Sequence, residues 1–217
     1  MLYLIDRRNR AAFDSQIEAM HRIRHQIYVD GRGWRALARP DRREVDQFDT
    51  EAATYLLSLD GDGQVVGGVR LLPTTGPHLM RDVFSHIVTW GRVPSDDRIY
   101  EMTRLFLWRS AGGEKRPEAA AEILCATLEF ALVRRLSHIS VVCDTFFLPR
   151  LLENGWKVHH LGLPTPYEEG SCIAILLEVS AEQLQRSRTR RGITGPCLTF
   201  SLYPPPHAAR IDHAIAA

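Results

Sequence analysis

Apolar and polar positions fall into recognisable periods over most of this chain. Residues 2–5 form a short apolar run and read as a strand. Residues 9–29 read as a helix, because Phe13, Ile17, Met20, Arg24 and Tyr28 recur at spacings of three or four and share one stripe. Residues 30–50 lose all periodicity and are crowded with arginine and aspartate, which predicts a long loop that orders on binding. Residues 54–59 and 65–72 are aliphatic runs joined by Asp60-Gly61-Asp62-Gly63, a hairpin signal, and Pro73 ends the second strand. Residues 98–108 predict another strand, 117–136 a helix opened by Pro117, and 139–145 a buried strand. A short helix over 148–154 is capped by Gly155, two last strands cover 156–161 and 172–179, and a final helix covers 181–188.

This order is strand, helix, antiparallel meander, then β-α-β, helix and two strands. It predicts an α/β fold: an acetyltransferase-like three-layer sandwich with a mixed, mostly antiparallel central sheet and an N-terminal helical and loop lid. Other α+β folds share the order. Residues 1–202 read as a single domain and residues 203–217, which open on prolines, as a disordered tail.

Three positions break the pattern. Arg24 occupies an apolar stripe, either snorkelling from its edge or pointing inward to meet an anion. In the strand over 98–108, strict alternation puts Glu101 on one face with Thr103, Leu105 and Leu107, and Arg104 on the other with Met102 and Phe106. A charge on each apolar face is costly unless paired. Either a salt bridge forms at the strand end, or a β-bulge adds a residue and brings both charges to one face.

Composition narrows the classes. The chain has 217 residues, 45% of them hydrophobic, with 27 basic against 26 acidic side chains and a formal charge of +1. So even a balance gives no electrostatic case for nucleic-acid or membrane binding. Cys125, Cys143, Cys172 and Cys197 are scattered without metal-ligand or redox spacing, which suits buried thiols in a reducing cytoplasm. The first residues lack the pattern of a signal peptide. His21 and His25 lie one helical turn apart, but arginines beside them and no adjacent carboxylate argue against a metal. The arginines at 186, 188, 190 and 191 read as a solvated helix end. Arg109, Gly112, Gly113, Lys115 and Arg116 precede a predicted helix and resemble the pyrophosphate loop of coenzyme A-dependent acetyltransferases, although Glu114 breaks its last position.

Several pieces combine in order: Arg24-x-x-x-Tyr28, Trp34, Glu44-Val45-Asp46-Gln47-Phe48-Asp49, residues 66–77 around Arg70, Asp82-Val83-Phe84, and Glu101-Met102-Thr103-Arg104. Together they resemble the acyl-homoserine lactone synthases of quorum sensing. Tyr28 stands where that family usually has phenylalanine, and Thr103 where it has serine. The resemblance implies S-adenosylmethionine as one substrate, an acyl thioester as the other, and no further cofactor. It implies Glu101 as a base acting directly or through water, or as a group orienting the amine. Arg24, Arg70 and Arg104 become clamps for the methionine carboxylate, some of them pairing with Asp46 and Asp49. Tyr28, Trp34 and Phe84 would wall the adenosine and sulfonium, and Thr145 would line the acyl pocket. Residues 148–151, 155–157, 161–164 and 195–198 look like the branch that uses acyl-coenzyme A rather than acyl carrier protein. Two rival readings remain at this level: a generic acetyl-coenzyme A-dependent N-acetyltransferase, and an idle nucleotide-sensing or DNA-binding regulator.

Overall fold

The computed structural model describes residues 1–108, 119–167 and 170–205. In chain order its strands are β1 (Leu2–Ile5), β2 (Thr54–Leu59), β3 (Val65–Pro73), β4 (Ile99–Leu107), β5 (His138–Asp144), β6 (Val158–His160), β7 (Thr165–Tyr167), β8 (Gly170–Glu178) and β9 (Leu198–Thr199). They join in one sheet of order β6-β8-β5-β4-β3-β2-β1-β9, with β7 also on β8. All pairings are antiparallel except β4 with β5 and β1 with β9. The helices are α1 (Asp14–Arg24), α2 (Leu79–Asp82), α3 (Ala119–Val133), α4 (Leu148–Glu153) and α5 (Ala181–Arg191).

Alternation along the strands sorts side chains onto the two faces of the sheet, each with a large core, which makes the three layers. Leu2, Leu4, Leu56, Val69 and Met102 pack against Ile123, Leu124 and Phe130 of α3. Tyr3, Ile5, Tyr55 and Leu57 pack on the other face against Phe13, Ile17 and Met20, where α1 begins. Among the described residues no helix is long and apolar enough to cross a membrane.

Two irregularities shape the middle of the sheet. Strands β4 and β5 pair only from Ile99 with His138 to Glu101 with Ser140, so beyond that point they part and leave a wedge. On the other side of β4, Arg70 pairs with Thr103 and Gly68 with Phe106, so two steps on β3 match three on β4. This is a bulge, and Arg104 adopts a left-handed φ of 53° within it. Strict alternation therefore fails here. Phe106 joins the α1-side core while Leu105 turns to the α3 side, and Arg104 comes to the face of Glu101 and Thr103.

Other expectations also need correction. The helix expected over 9–29 is three pieces: a 3-10 turn at Arg10–Phe13, α1, and a π-helical turn at His25–Gly31. The wider final turn ends three residues before Trp34, whose backbone N–H donates to the carbonyl of Tyr28 at 2.9 Å. The second half of the loop after it is tied by ion pairs of Glu44, Asp46 and Asp49 to Arg24, Arg70 and Arg104. α2, β7 and β9 went unread, since elements of two to four residues carry no period. The loop of Arg109, Gly112, Gly113, Lys115 and Arg116 lies outside the described residues, as does most of the expected tail.

Candidate functional site

The deepest feature on the α1 side of β4 is ionic. Three arginines meet three carboxylates there. Arg24 donates its Nε to Glu44 and its two terminal nitrogens to Asp49 at 2.8 and 2.9 Å. Arg70 grips Asp46 at 2.6 and 2.9 Å, meets Asp49 at 2.8 Å, and gives its Nε to the Thr103 hydroxyl at 3.0 Å. Arg104 reaches Glu44 at 2.9 Å and Asp46 at 2.8 Å. Tyr55 adds a hydroxyl to Asp49 at 2.8 Å. The Arg24 and Arg70 side chains are wholly buried and that of Arg104 nearly so. Burial alone would raise the Asp49 carboxyl, but hydrogen bonds and charge from Arg24, with the charge of Arg70, hold it well below the usual carboxylate range. Charges so deep persist because each is paired and hydrogen-bonded.

Above this cluster lies a cavity of about 570 Å³. One wall is aromatic: Trp34 stacks on Tyr28 with ring centroids 5.0 Å apart. Burial raises the Tyr28 phenol, so its hydroxyl keeps its proton and donates to the Leu105 carbonyl at the bulge, at 3.0 Å. Asp46, Thr103 and Arg104 form part of the floor. The cavity continues into the wedge, between Met102 of β4 and Val142 of β5, and is bounded there by Phe84, Phe147 and Arg150.

The buried cluster draws on four of the motif pieces, those of Arg24, of Glu44 to Asp49, of Arg70 and of Arg104, and comparison of whole chains decides the family. Residues 9–187 match the family described as Autoinducer synthase. The chain belongs to the autoinducer synthase family. An isovaleryl-homoserine lactone synthase of Bradyrhizobium diazoefficiens is 37% identical over 194 residues, covering 89% of this chain and 86% of its own. A CoA-dependent acyl-homoserine lactone synthase solved with SAM and isopentyl-CoA superposes with a TM-score of 0.85 at 35% identity, covering 93% of both chains. A second CoA-dependent acyl-homoserine lactone synthase gives 0.83 at 39% identity, covering 92% of this chain and 99% of its own. The expected acetyltransferase-like fold is thus shared with those synthases, and this synthase is an enzyme of the acyltransferase class.

Within the synthase, the residues singled out from sequence divide by position. Tyr28, Trp34, Asp46, Phe84 and Arg104 line the cavity. Phe84 packs with Met80, Ile87 and Cys172, in a different cluster from Trp34. Arg24, Asp49 and Arg70 lie beneath the floor and hold Asp46 and Arg104 in place through the ion pairs above. Thr145 does not end β5 but starts the 3-10 turn Thr145–Phe147, between the lining residues Asp144 and Phe146.

Glu101 is also behind the wall. It is fully buried, and its two oxygens accept the backbone N–H groups of Leu79 at 2.7 Å and Met80 at 2.6 Å. Burial drives its carboxyl up to about 7, against the N–H groups of Met80 and Leu79 and the charges of Arg70 and Arg104, which pull it down. A carboxyl so tuned exchanges a proton near neutral pH.

Four further residues belong to the site and were not singled out for it. Glu44 stood inside the quoted motif, and its position two residues before Asp46 was the available signal. Arg32, Asp144 and Tyr167 meet across the cavity, with Arg32 bonding Asp144 at 2.9 Å over 112 residues of chain. No local pattern announces a contact of that span.

Proposed function

We propose that this autoinducer synthase acylates the α-amine of S-adenosylmethionine with a coenzyme A thioester and closes the product to an acyl-homoserine lactone, releasing methylthioadenosine. The observation that carries the reading is the continuity of one cavity, from the Trp34–Tyr28 wall over the Arg104 floor into the β4–β5 wedge. The adenosine and sulfonium lie against Trp34 and Tyr28, by stacking and cation–π attraction. The acyl thioester enters the wedge, where its chain meets Met102, Phe84 and Phe147.

The amine must lose its proton before it attacks. A free α-amine has a pKa near 8, and Glu101, tuned to about 7 and lying behind the wall, takes that proton by relay through water. Its neighbours Leu79 and Met102 are on the cavity wall. A bulge leaves its extra residue outside the ladder, and the N–H groups there hold the thioester oxyanion. The methionine carboxylate then attacks its own γ-carbon in line, with the sulfonium as leaving group. The buried arginines and carboxylates act by fixing Arg104 and Asp46.

Coenzyme A as the donor is supported by the CoA-dependent synthases of closely similar structure and by exposed Arg150 at the cavity edge. Arg109, Lys115 and Arg116, with Gly112 and Gly113, would supply the phosphate cradle. The test is incubation of purified protein with S-adenosylmethionine and a panel of short branched and aryl acyl-coenzyme A thioesters. Methylthioadenosine and the acyl-homoserine lactone are expected in equal amounts. Free thiol without either product across the panel sinks the proposal.

A further inference from the structure

The arginines beneath the floor leave a question of charge. Arg24, Arg70 and Arg104 are matched one for one by Glu44, Asp46 and Asp49, and each guanidinium is already shared between two carboxylates, so the cluster has few donors to offer an incoming carboxylate. Arg24 and Arg70 are also sealed from the cavity, with side chains 0% exposed. Resting on the reading that S-adenosylmethionine is the acceptor, a zwitterionic amino-acid group must still be bound somewhere on this wall.

Arg32 and Asp144 have the chemistry for it. Both line the cavity, and they face each other from opposite sides: Arg32 follows the π-helical turn beside Trp34, and Asp144 ends β5 at the open end of the wedge. Their contact is one hydrogen bond, from Arg32 Nη1 to Asp144 Oδ2 at 2.9 Å, so most of the guanidinium donors remain for a second partner. The Arg32 side chain is 41% exposed, unlike the sealed arginines, and can exchange partners with solvent or ligand. Its carbon Cζ lies 5.6 Å from the Trp34 ring, 5.7 Å from Tyr28 and 5.7 Å from Phe146, so it stands beside the proposed adenosine wall. Asp144 is steadied from its other oxygen by the Tyr167 hydroxyl. Arg150, the other exposed arginine on the wall, sits on α4 and lacks this pairing with an acid beside the aromatic wall.

We infer that Arg32 and Asp144 form the recognition pair for the amino-acid end of S-adenosylmethionine, Arg32 binding its carboxylate and Asp144 its α-ammonium. The zwitterion replaces the direct Arg32–Asp144 bond with two charge-assisted bonds of the same polarity. Asp144 then holds the ammonium at the mouth of the wedge before the thioester binds, and the amine moves inward from it for the chemistry. A protein with this pair discriminates the whole substrate from the product methylthioadenosine, which keeps the adenosine and loses both charged groups, and so favours product release.

Calorimetry with three probes tests this, without thioester so that nothing turns over. The wild-type protein, Arg32→Gln and Asp144→Asn are each titrated with S-adenosylmethionine, decarboxylated S-adenosylmethionine and methylthioadenosine. Each variant is expected to lose affinity for S-adenosylmethionine by about tenfold or more, the scale of one charge-assisted bond, while methylthioadenosine binds all three proteins alike. With the decarboxylated probe the Arg32→Gln loss should vanish and the Asp144→Asn loss should remain. Equal weakening of methylthioadenosine would mean that the pair only holds the aromatic wall, and unchanged S-adenosylmethionine binding would mean that the zwitterion sits elsewhere; either overturns the inference. If the wild-type protein binds none of the three, the acceptor assignment itself fails.

Discussion

Asp46 accepts both terminal nitrogens of Arg70, at 2.6 and 2.9 Å, and is bonded by Arg104 from the next strand at 2.8 Å. One loop carboxylate thereby ties β3 to the bulge of β4. The same logic repeats at Asp49 with Arg24 and at Glu44 with Arg24 and Arg104. The cluster is a structural keystone as well as the floor of the site.

Removing one partner from such a cluster leaves a charge buried without its counterion. Asp49→Ala should therefore lower the unfolding free energy by about 3–5 kcal/mol, measured by urea denaturation at neutral pH. A loss below about 1 kcal/mol, the scale of an exposed ion pair, would show that Arg24 finds another partner or water.

Glu101 gives the reaction a pH dependence. Its carboxyl titrates at about 7, and the base form is the ionised one. kcat/KM for S-adenosylmethionine should rise with pH through that value, and Glu101→Gln should lose about 10²-fold together with that limb. Stability runs the other way. A carboxyl whose folded pKa lies above the ordinary 4.5 is protonated in the fold while the unfolded chain is ionised, so its contribution falls as pH rises from 4.5 to about 7. The difference between wild type and Glu101→Gln in unfolding free energy should show this slope; a flat difference would place the carboxyl's titration elsewhere.

Trp34→Ala should weaken S-adenosylmethionine binding by about 1–2 kcal/mol, the scale of a lost cation–π or stacking contact. The ring is part-exposed and leans on Tyr28 rather than filling the core, so the melting temperature of the unliganded protein should barely move. Unchanged affinity with a large thermal loss would make Trp34 a packing residue.

The donor preference can be measured directly. With one short branched or aryl acyl group presented on coenzyme A and on acyl carrier protein, kcat/KM should be higher for the coenzyme A form. A carrier protein is acidic and needs a broad basic face, which a chain of net charge +1 offers only locally. A tenfold preference for the carrier-bound substrate would reverse the assignment.

By itself, the sequence determined the order of the main elements, because helix and strand periods and turn residues are local properties. Strands over 54–59 and 65–72 were legible to within a residue of β2 and β3, since burial on both faces makes each a continuous aliphatic run bounded by turn residues. It also marked Arg24, Glu101 and Arg104 as misfits on apolar faces, which a buried charge always is until its partner is known. Only the tertiary structure decided who those partners are. Arg24 reaches Glu44 and Asp49, 20 and 25 residues away, and Arg104 reaches Glu44 over 60. The bulge that turns Arg104 toward Glu44 and Asp46 depends on the register between β3 and β4, which no single strand contains. The wedge depends on where β4 and β5 cease to pair, and the Arg32–Asp144 contact on two segments 112 residues apart meeting over it. Side-chain chemistry is written locally, but which groups share a low-dielectric pocket is set by long-range packing.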